Sequence, residues 1–210
     1  MSRIQEYRAK VSGTTPREVA RLAFRKLIYR KVEMLRFEVR AADHALPAGT
    51  DLRVELLGPD RFDEILGTNP YLEAADLVDF RRQRSTCIVA YDGDRIAAST
   101  WMTSGSVHVH ELHRHLDVPS TEHFSCRSYV APGHRGRKLL DELLSSYACH
   151  QDPADTIWGL VYRWNVASYR SLERVGWRET GCAWTRFILG RRVSGERRYP
   201  PRPARDPVAS

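Results

Sequence analysis

Val130-Ala131-Pro132-Gly133-His134-Arg135-Gly136-Arg137-Lys138-Leu139-Leu140 is the stretch that orders everything around it. Phe124 to Val130 before it reads as a strand. After it, Leu139, Leu140, Leu143, Leu144, Tyr147 and Ala148 recur at helical spacing, so an amphipathic helix is predicted over Arg135 to Cys149. A tight turn joining strand to helix aims several free backbone N–H groups at one point, with the positive end of the helix dipole behind them. Arg135, Arg137 and Lys138 add cationic charge there. The stretch can seat a pyrophosphate, and the same features also describe an ordinary helix cap. It is neither a Walker loop nor a dinucleotide GxGxxG.

Some thirty residues on, Trp164-Asn165-Val166-Ala167-Ser168-Tyr169-Arg170-Ser171-Leu172-Glu173-Arg174-Val175-Gly176-Trp177 repeats the strand-to-helix grammar. Thr156 to Tyr162 is predicted as a strand, Val166 to Val175 as a helix, and Gly176 as its stop. Asn165 suits either a ligand contact or a plain N-cap. Strands are also predicted at Leu52 to Leu56, Cys87 to Tyr91 and Arg95 to Met102. Asp92-Gly93 is a hairpin turn between the last two. Gly105 to Thr121 reads as a polar loop with a short helix, and Trp177 to Leu189 as two strands. At the front, Thr15 to Arg30 is predicted as a helix with Ala20, Ala23, Phe24, Leu27 and Ile28 on one face, and Val32 to Val39 as a strand.

The two motifs together resemble those of the GNAT superfamily of acetyl-CoA-dependent N-acetyltransferases. Val130, Pro132, Arg135, Gly136 and Leu139 match that family's phosphate-binding pattern, while Lys138 and Leu140 stand where it prefers Gly and Gly or Ala. Asn165, Ser168, Glu173, Arg174, Gly176 and Trp177 match its second pattern in the N-x-x-S form of ribosomal-protein-alanine acetyltransferases. The resemblance implies an α/β fold: a mixed central sheet with a splayed parallel strand pair, flanked by helices. It divides the chain into a basic extension with an amphipathic helix (1–48), a GNAT-like domain (49–190) and a disordered Arg/Pro-rich tail (191–210).

It further implies that acetyl-CoA is the acyl donor. The pantetheine arm would pair with backbone near Tyr129 and Val130, and the pyrophosphate would sit on the amides of Arg135, Gly136, Arg137, Lys138, Leu139 and Leu140, with Asn165 beside them. The reaction is direct attack of a primary amine on the thioester, which needs a proton acceptor for the amine and benefits from a donor to the thiolate. The family's base position falls on Glu122, with His123 as an alternative. Its usual Tyr donor is Leu172 here, which leaves Ser168, then Tyr169. The acceptor is left open between an amino sugar, another small amine and a protein N-terminus. Two other readings stand beside this one: a longer-chain acyltransferase related to acyl-homoserine-lactone synthases, and an idle coenzyme-A-binding module.

Composition narrows the remaining classes. The 210 residues are 42% hydrophobic and 28% charged, as in a globular protein. Nothing approaches the ~18 apolar residues of a membrane span. Met1 to Glu6 lacks an apolar leader core, and Cys87, Cys126, Cys149 and Cys182 form no CxxC pair, so a cytoplasmic protein with reduced thiols is expected. His108, His110, His113 and His115 line no single helix or strand, so they are expected to border an acceptor site and to bind no metal. Arg127 is expected to meet an acceptor carboxylate or a buried acid. The net charge of +7 lies at the ends, +7 over residues 1–40 and +4 over 191–210, against −4 between. A nucleic-acid partner would require the basic patch on the folded body, so none is expected. The N-terminal helix is a candidate for weak membrane-surface contact, and a homodimer is compatible with all of this.

Overall fold

The computed structural model describes residues 29–43, 51–189 and 191–200. Strands β1 (Tyr29–Arg40), β2 (Arg53–Leu57), β3 (Thr86–Asp92), β4 (Arg95–Thr103), β7 (Glu122–Val130), β8 (Thr156–Tyr162), β9 (Arg178–Ile188) and β10 (Arg191–Arg198) form one sheet in the order β10-β9-β1-β8-β7-β4-β3-β2. Strands β5 (Gly105–Val109) and β6 (Arg114–Val118) make a separate hairpin. Helix α1 (Ala74–Arg82) follows β2, α2 (Leu139–Ala148) links β7 to β8, and α3 (Val166–Arg174) links β8 to β9. Among the described strands only β7 and β8 pair in parallel. This is the mixed sheet with one parallel strand pair that the resemblance implies.

Alternation along the strands separates two cores. On one face Ile88, Ala90, Leu35 and Phe37 pack with Leu139, Leu143, Leu144 and Leu172 from α2 and α3. On the other, Cys87, Val89 and Trp101 pack with Phe62 and α1's Leu77 and Phe80, and next to them Phe124 and Trp158 pack with Val107, Leu112 and Leu116 under the hairpin. Ser171 donates to the buried Asp141 and ties α3 to α2.

Four expectations are corrected. The segment Val32 to Val39 is a strand, but β1 lies inside the sheet between β8 and β9, and it takes up Tyr29 and Arg30 from the end of the predicted helix. Two antiparallel neighbours offer its backbone a full ladder; the rest of that helix lies outside the described residues. The polar loop predicted at Gly105 to Thr121 is the β5–β6 hairpin, because Val107, Val109, Leu116 and Val118 alternate inward beneath the histidines. Trp177 to Leu189 holds one strand, which continues past the turn at Leu189 into β10 over residues expected to be disordered. There, eight residues pair with β9 through backbone alone, which composition does not register; 201–210 lie outside the described residues. Helix α2 begins at Leu139, four residues later than periodicity suggests, because Pro132 to Lys138 stays in the turn.

Candidate functional site

Strand β7 is two strands in behaviour. Glu122, His123, Phe124 and Ser125 pair with Thr156, Ile157, Trp158 and Gly159, and the parallel ladder ends there. On its other side β7 stays on β4, with a bulge: Trp101 faces Cys126 and Ser99 faces Tyr129, so Arg127 and Ser128 together oppose Thr100. Arg127 takes a left-handed φ of 50° to allow it. Asn69 Nδ2 donates to the Arg127 carbonyl at 2.9 Å, and Arg127 Nη2 donates to Asp76 at 3.1 Å. Bulges bend a strand and end its pairing. Here pairing with β8 stops at Ser125, so backbone groups of Tyr129 and Val130 on that side border a gap, and the Val130 carbonyl accepts from Arg135 Nε at 3.4 Å. The carboxylate that meets Arg127 is thus the buried acid Asp76.

The phosphate turn stands at one end of that gap. Gly136 has φ 82°, and Lys138 holds the left-handed conformation (φ 60°, ψ 24°) at the N-cap of α2 without capping it through its side chain. The first amides of a helix have no partner inside it, and here the N-cap side chain takes none of them. Arg135, Gly136, Arg137 and Lys138 are exposed around them, with Leu139 buried and Leu140 half-buried beneath. The residue present where the family prefers Gly keeps the backbone that Gly would supply and adds a cation.

Asn165 acts as the N-cap of α3: its Oδ1 accepts from the Ser168 N–H at 3.3 Å. Gly176, with φ 90°, closes the helix, and the Trp177 N–H returns to the Leu172 carbonyl at 3.0 Å. Ser168 is half-buried in the first turn of α3. The Tyr169 ring meets Phe37 edge-on, with centroids 5.0 Å apart, and packs on the core.

Across the gap lies a cavity of about 90 Å³ bordered by Phe124, Ser125, Cys126 and Arg127 of β7, by Leu160 of β8, by Asp76 and Asp79 of α1 and by His108, His110 and Glu111. His110 Nε2 lies 3.3 Å from Asp76 Oδ1. The His108 ring stands 4.4 Å from His110 and 4.9 Å from His115. Burial, with the nearby imidazoles behind it, holds His108 below the ordinary imidazole range. Burial pushes the Cys126 thiol up to about 12, so it stays protonated near neutrality and makes no nucleophile. Among the described residues no cluster of three His, Cys, Asp or Glu is arranged to hold a metal ion. The signal for this site was the density of histidines; its partner Asp76, thirty-four residues upstream in α1, carried none.

The two expected bases stand elsewhere. Glu122 accepts from Arg36 Nη2 at 2.8 Å, and Arg36, buried over the Trp158 ring at 3.7 Å, also donates to Glu38 at 3.0 Å. His123 points to the opposite face, with Nε2 at 3.1 Å from Asp155 and Nδ1 at 3.2 Å from the Tyr147 hydroxyl. Neither borders the cavity. The reason is register: the ladder that aligns both strands at this end also aligns their charges with fixed partners.

No family model matches the sequence, and no curated protein does. Solved structures do. An acetyltransferase of the GNAT family from Novosphingobium aromaticivorans is 17% identical with a TM-score of 0.51, over 74% of this chain and 63% of that one. The fold is that of a GNAT acetyltransferase. A conserved Staphylococcus epidermidis protein of unknown function superposes with a TM-score of 0.58 at 12% identity, over 82% of this chain and 67% of that one. A Drosophila protein gives 0.51 at 13%, over 83% and 57%. This chain spans about three fifths of the length of these structures. Among the described residues no helix is long and apolar enough to cross a membrane.

Proposed function

We propose that the chain transfers an acetyl or short acyl group from coenzyme A to a primary amine. One observation carries this reading: the strands part after Ser125 and Gly159, with uncapped amides at one end of the gap and a polar cavity at the other. The residues fit coenzyme A, since a pyrophosphate needs unpaired N–H groups and cations, and a pantetheine amide needs unpaired strand backbone. Arg135, Gly136, Arg137, Lys138, Leu139 and Leu140 would hold the first, and Tyr129 and Val130 the second. Asn165 supports the site by ordering the start of α3. When bound, the thioester supplies the electrophilic carbonyl.

The amine must reach that carbonyl unprotonated. His110 borders the cavity with its Nε2 3.3 Å from the buried Asp76 carboxylate, a contact that would favour the tautomer with its proton on Nε2 and leave Nδ1 to accept one from the amine. The new N–C bond forms as the C–S bond breaks, and Ser168, the donor that the resemblance implies, would return a proton to sulfur. His110 therefore replaces Glu122 as our base, because His110 lines the cavity, whereas Glu122 is tied to Arg36 away from it. Direct attack is favoured over a cysteine relay by the protonated state of Cys126.

The test is release of coenzyme A thiol from acetyl-CoA over a panel of small amines and N-terminal peptides, with melting curves alongside. Acetyl-CoA at a hundred times its dissociation constant should stabilise the fold by about 2.7 kcal/mol. No shift and no thiol release at millimolar acetyl-CoA would end this reading; a shift without turnover would leave the idle binding module in its place.

A further inference from the structure

Part of the basic segment lies on the folded body, in residues 191–198. Arg191, Arg192, Arg197 and Arg198 all belong to β10, the edge strand. Alternation sorts them by face. Arg192 and Arg198 share a face with Glu196: Arg192 donates to the His113 carbonyl, Arg198 to Glu38 at 2.7 Å, and Arg114 to Glu196 at 2.5 Å. Arg191 and Arg197 point the other way, together with Val193 and Gly195. Among the described residues neither has a carboxylate partner, and both are exposed.

That second face is a charged surface built around an indole. Trp184 of β9 stands opposite Gly195 and lies against it: a Cβ there would be 2.8 Å from Trp184 Cζ2. The Arg186 guanidinium sits over the Trp184 ring, 4.7 Å from its centroid, and Arg186 Nε is buried without an acceptor among the described residues. Lys31 and Arg163 lie on the same side, both paired to Glu33. Val193 and Ile188 remain 50% and 41% exposed, so the face is open to a partner. Five cations stand there against Glu33 and Glu179.

We propose that this face of β1, β9 and β10 binds single-stranded nucleic acid. Arginines spaced along a strand match a polyanionic backbone, and a guanidinium held over an indole offers bases a flat platform on a sheet. An acidic protein would satisfy the charge but would have no use for that platform. The residues that carry this proposal, on β9 and β10, are none of those that carry the acyl-transfer reading, so neither proposal depends on the other.

The experiment is fluorescence anisotropy of the full chain with labelled single-stranded dT and rU oligonucleotides. Three phosphate contacts predict a salt slope near −2, or roughly a 15-fold loss of affinity between about 50 and about 200 mM salt. The triple variant Arg186→Gln/Arg191→Gln/Arg197→Gln should bind about tenfold or more weakly. Arg192→Gln/Arg198→Gln, which removes charge from the other face of the same strand, should leave binding within about twofold. Trp184→Phe, which keeps an aromatic packed on Gly195, should keep at least part of the affinity, and Trp184→Leu should lose it. Melting curves check that each variant is folded. Equal losses in the two arginine variants, no loss in the triple variant, or competition by polyglutamate as effective as unlabelled dT would each overturn the proposal.

Discussion

The two halves of β7 belong to one strand and behave in opposite ways. Glu122 to Ser125 is paired with β8, Phe124 and Ser125 with β4 as well, and its polar side chains are committed: Glu122 to Arg36, His123 to Asp155 and Tyr147. Cys126 to Val130, past the bulge, is paired on one side only, and its neighbours are an uncapped helix and a cavity. A ladder satisfies backbone groups so completely that nothing is left for a ligand. The bulge at Arg127 releases those groups, and Asn69 and Asp76 stabilise the left-handed backbone that the bulge requires. Chemistry is expected in the released half and stability in the paired half.

The largest test of that division is on the cavity side. His110→Ala should lower kcat by roughly 10²–10⁴-fold with little change in the acetyl-CoA KM, the range of a lost general base. Glu122→Gln, which keeps an acceptor for Arg36, should hold turnover within a few-fold across pH 6 to 9. Steady-state kinetics on both variants decide it: a large loss in Glu122→Gln with a normal His110→Ala would return the base to the paired half.

The next effect belongs to stability. Arg36→Met leaves Glu122 and Glu38 without their shared partner beneath Trp158, which should cost about 3 kcal/mol in urea denaturation. Any change in kcat should follow the loss of folded protein.

Tyr147 gives the paired half a pH signature. Burial, and then the Asp155 charge, push its hydroxyl up to about 12 from an ordinary 10. The folded state therefore favours the neutral phenol. This stability is fully present below pH ~10 and is lost as pH rises from there toward ~12, by about 2–3 kcal/mol. Cys126 shifts in the same direction, so the contribution of Tyr147 is the difference between wild type and Tyr147→Phe over pH 8 to 12. Parallel curves for the two proteins would remove Tyr147 as the source.

How much of this division was legible in the sequence differs element by element. The turn after Val130 was, because Pro, Gly and cations at a strand-helix junction leave few alternatives. The parallel pair and the gap came with the resemblance. The place of β1 inside the sheet was not legible, since a strand's neighbours lie more than a hundred residues away and pairing is made by backbone. Nor was β10, whose Arg-rich composition reads as a tail until β9 supplies a partner. The site was half legible: the histidines advertised the cavity, whereas the motif-derived position of Glu122 could not reveal the guanidinium of Arg36 across the sheet.

On the released half, Arg135→Ala should raise the acetyl-CoA KM about ten- to hundred-fold, since a charge-assisted bond to phosphate is worth ~1.5–3 kcal/mol. Its kcat should move less, because the pyrophosphate is held alike before and during transfer.

Lys138 gives the smallest effect and the finest discrimination. It carries a left-handed backbone that costs a non-glycine residue about 1 kcal/mol, and it places a cation at the first turn of α2. Lys138→Gly removes strain and charge together, whereas Lys138→Ala removes the charge and keeps the strain. If both properties matter, Lys138→Gly should be more stable than Lys138→Ala by about 1 kcal/mol, and both should show the same few-fold rise in acetyl-CoA KM. A KM that rises only in Lys138→Ala would mean that the turn's geometry, and not the ammonium, seats the phosphate. Equal stabilities would mean that the turn relaxes out of the left-handed conformation when the side chain is lost, and that the uncapped amides at the head of α2 are less fixed than their geometry here implies.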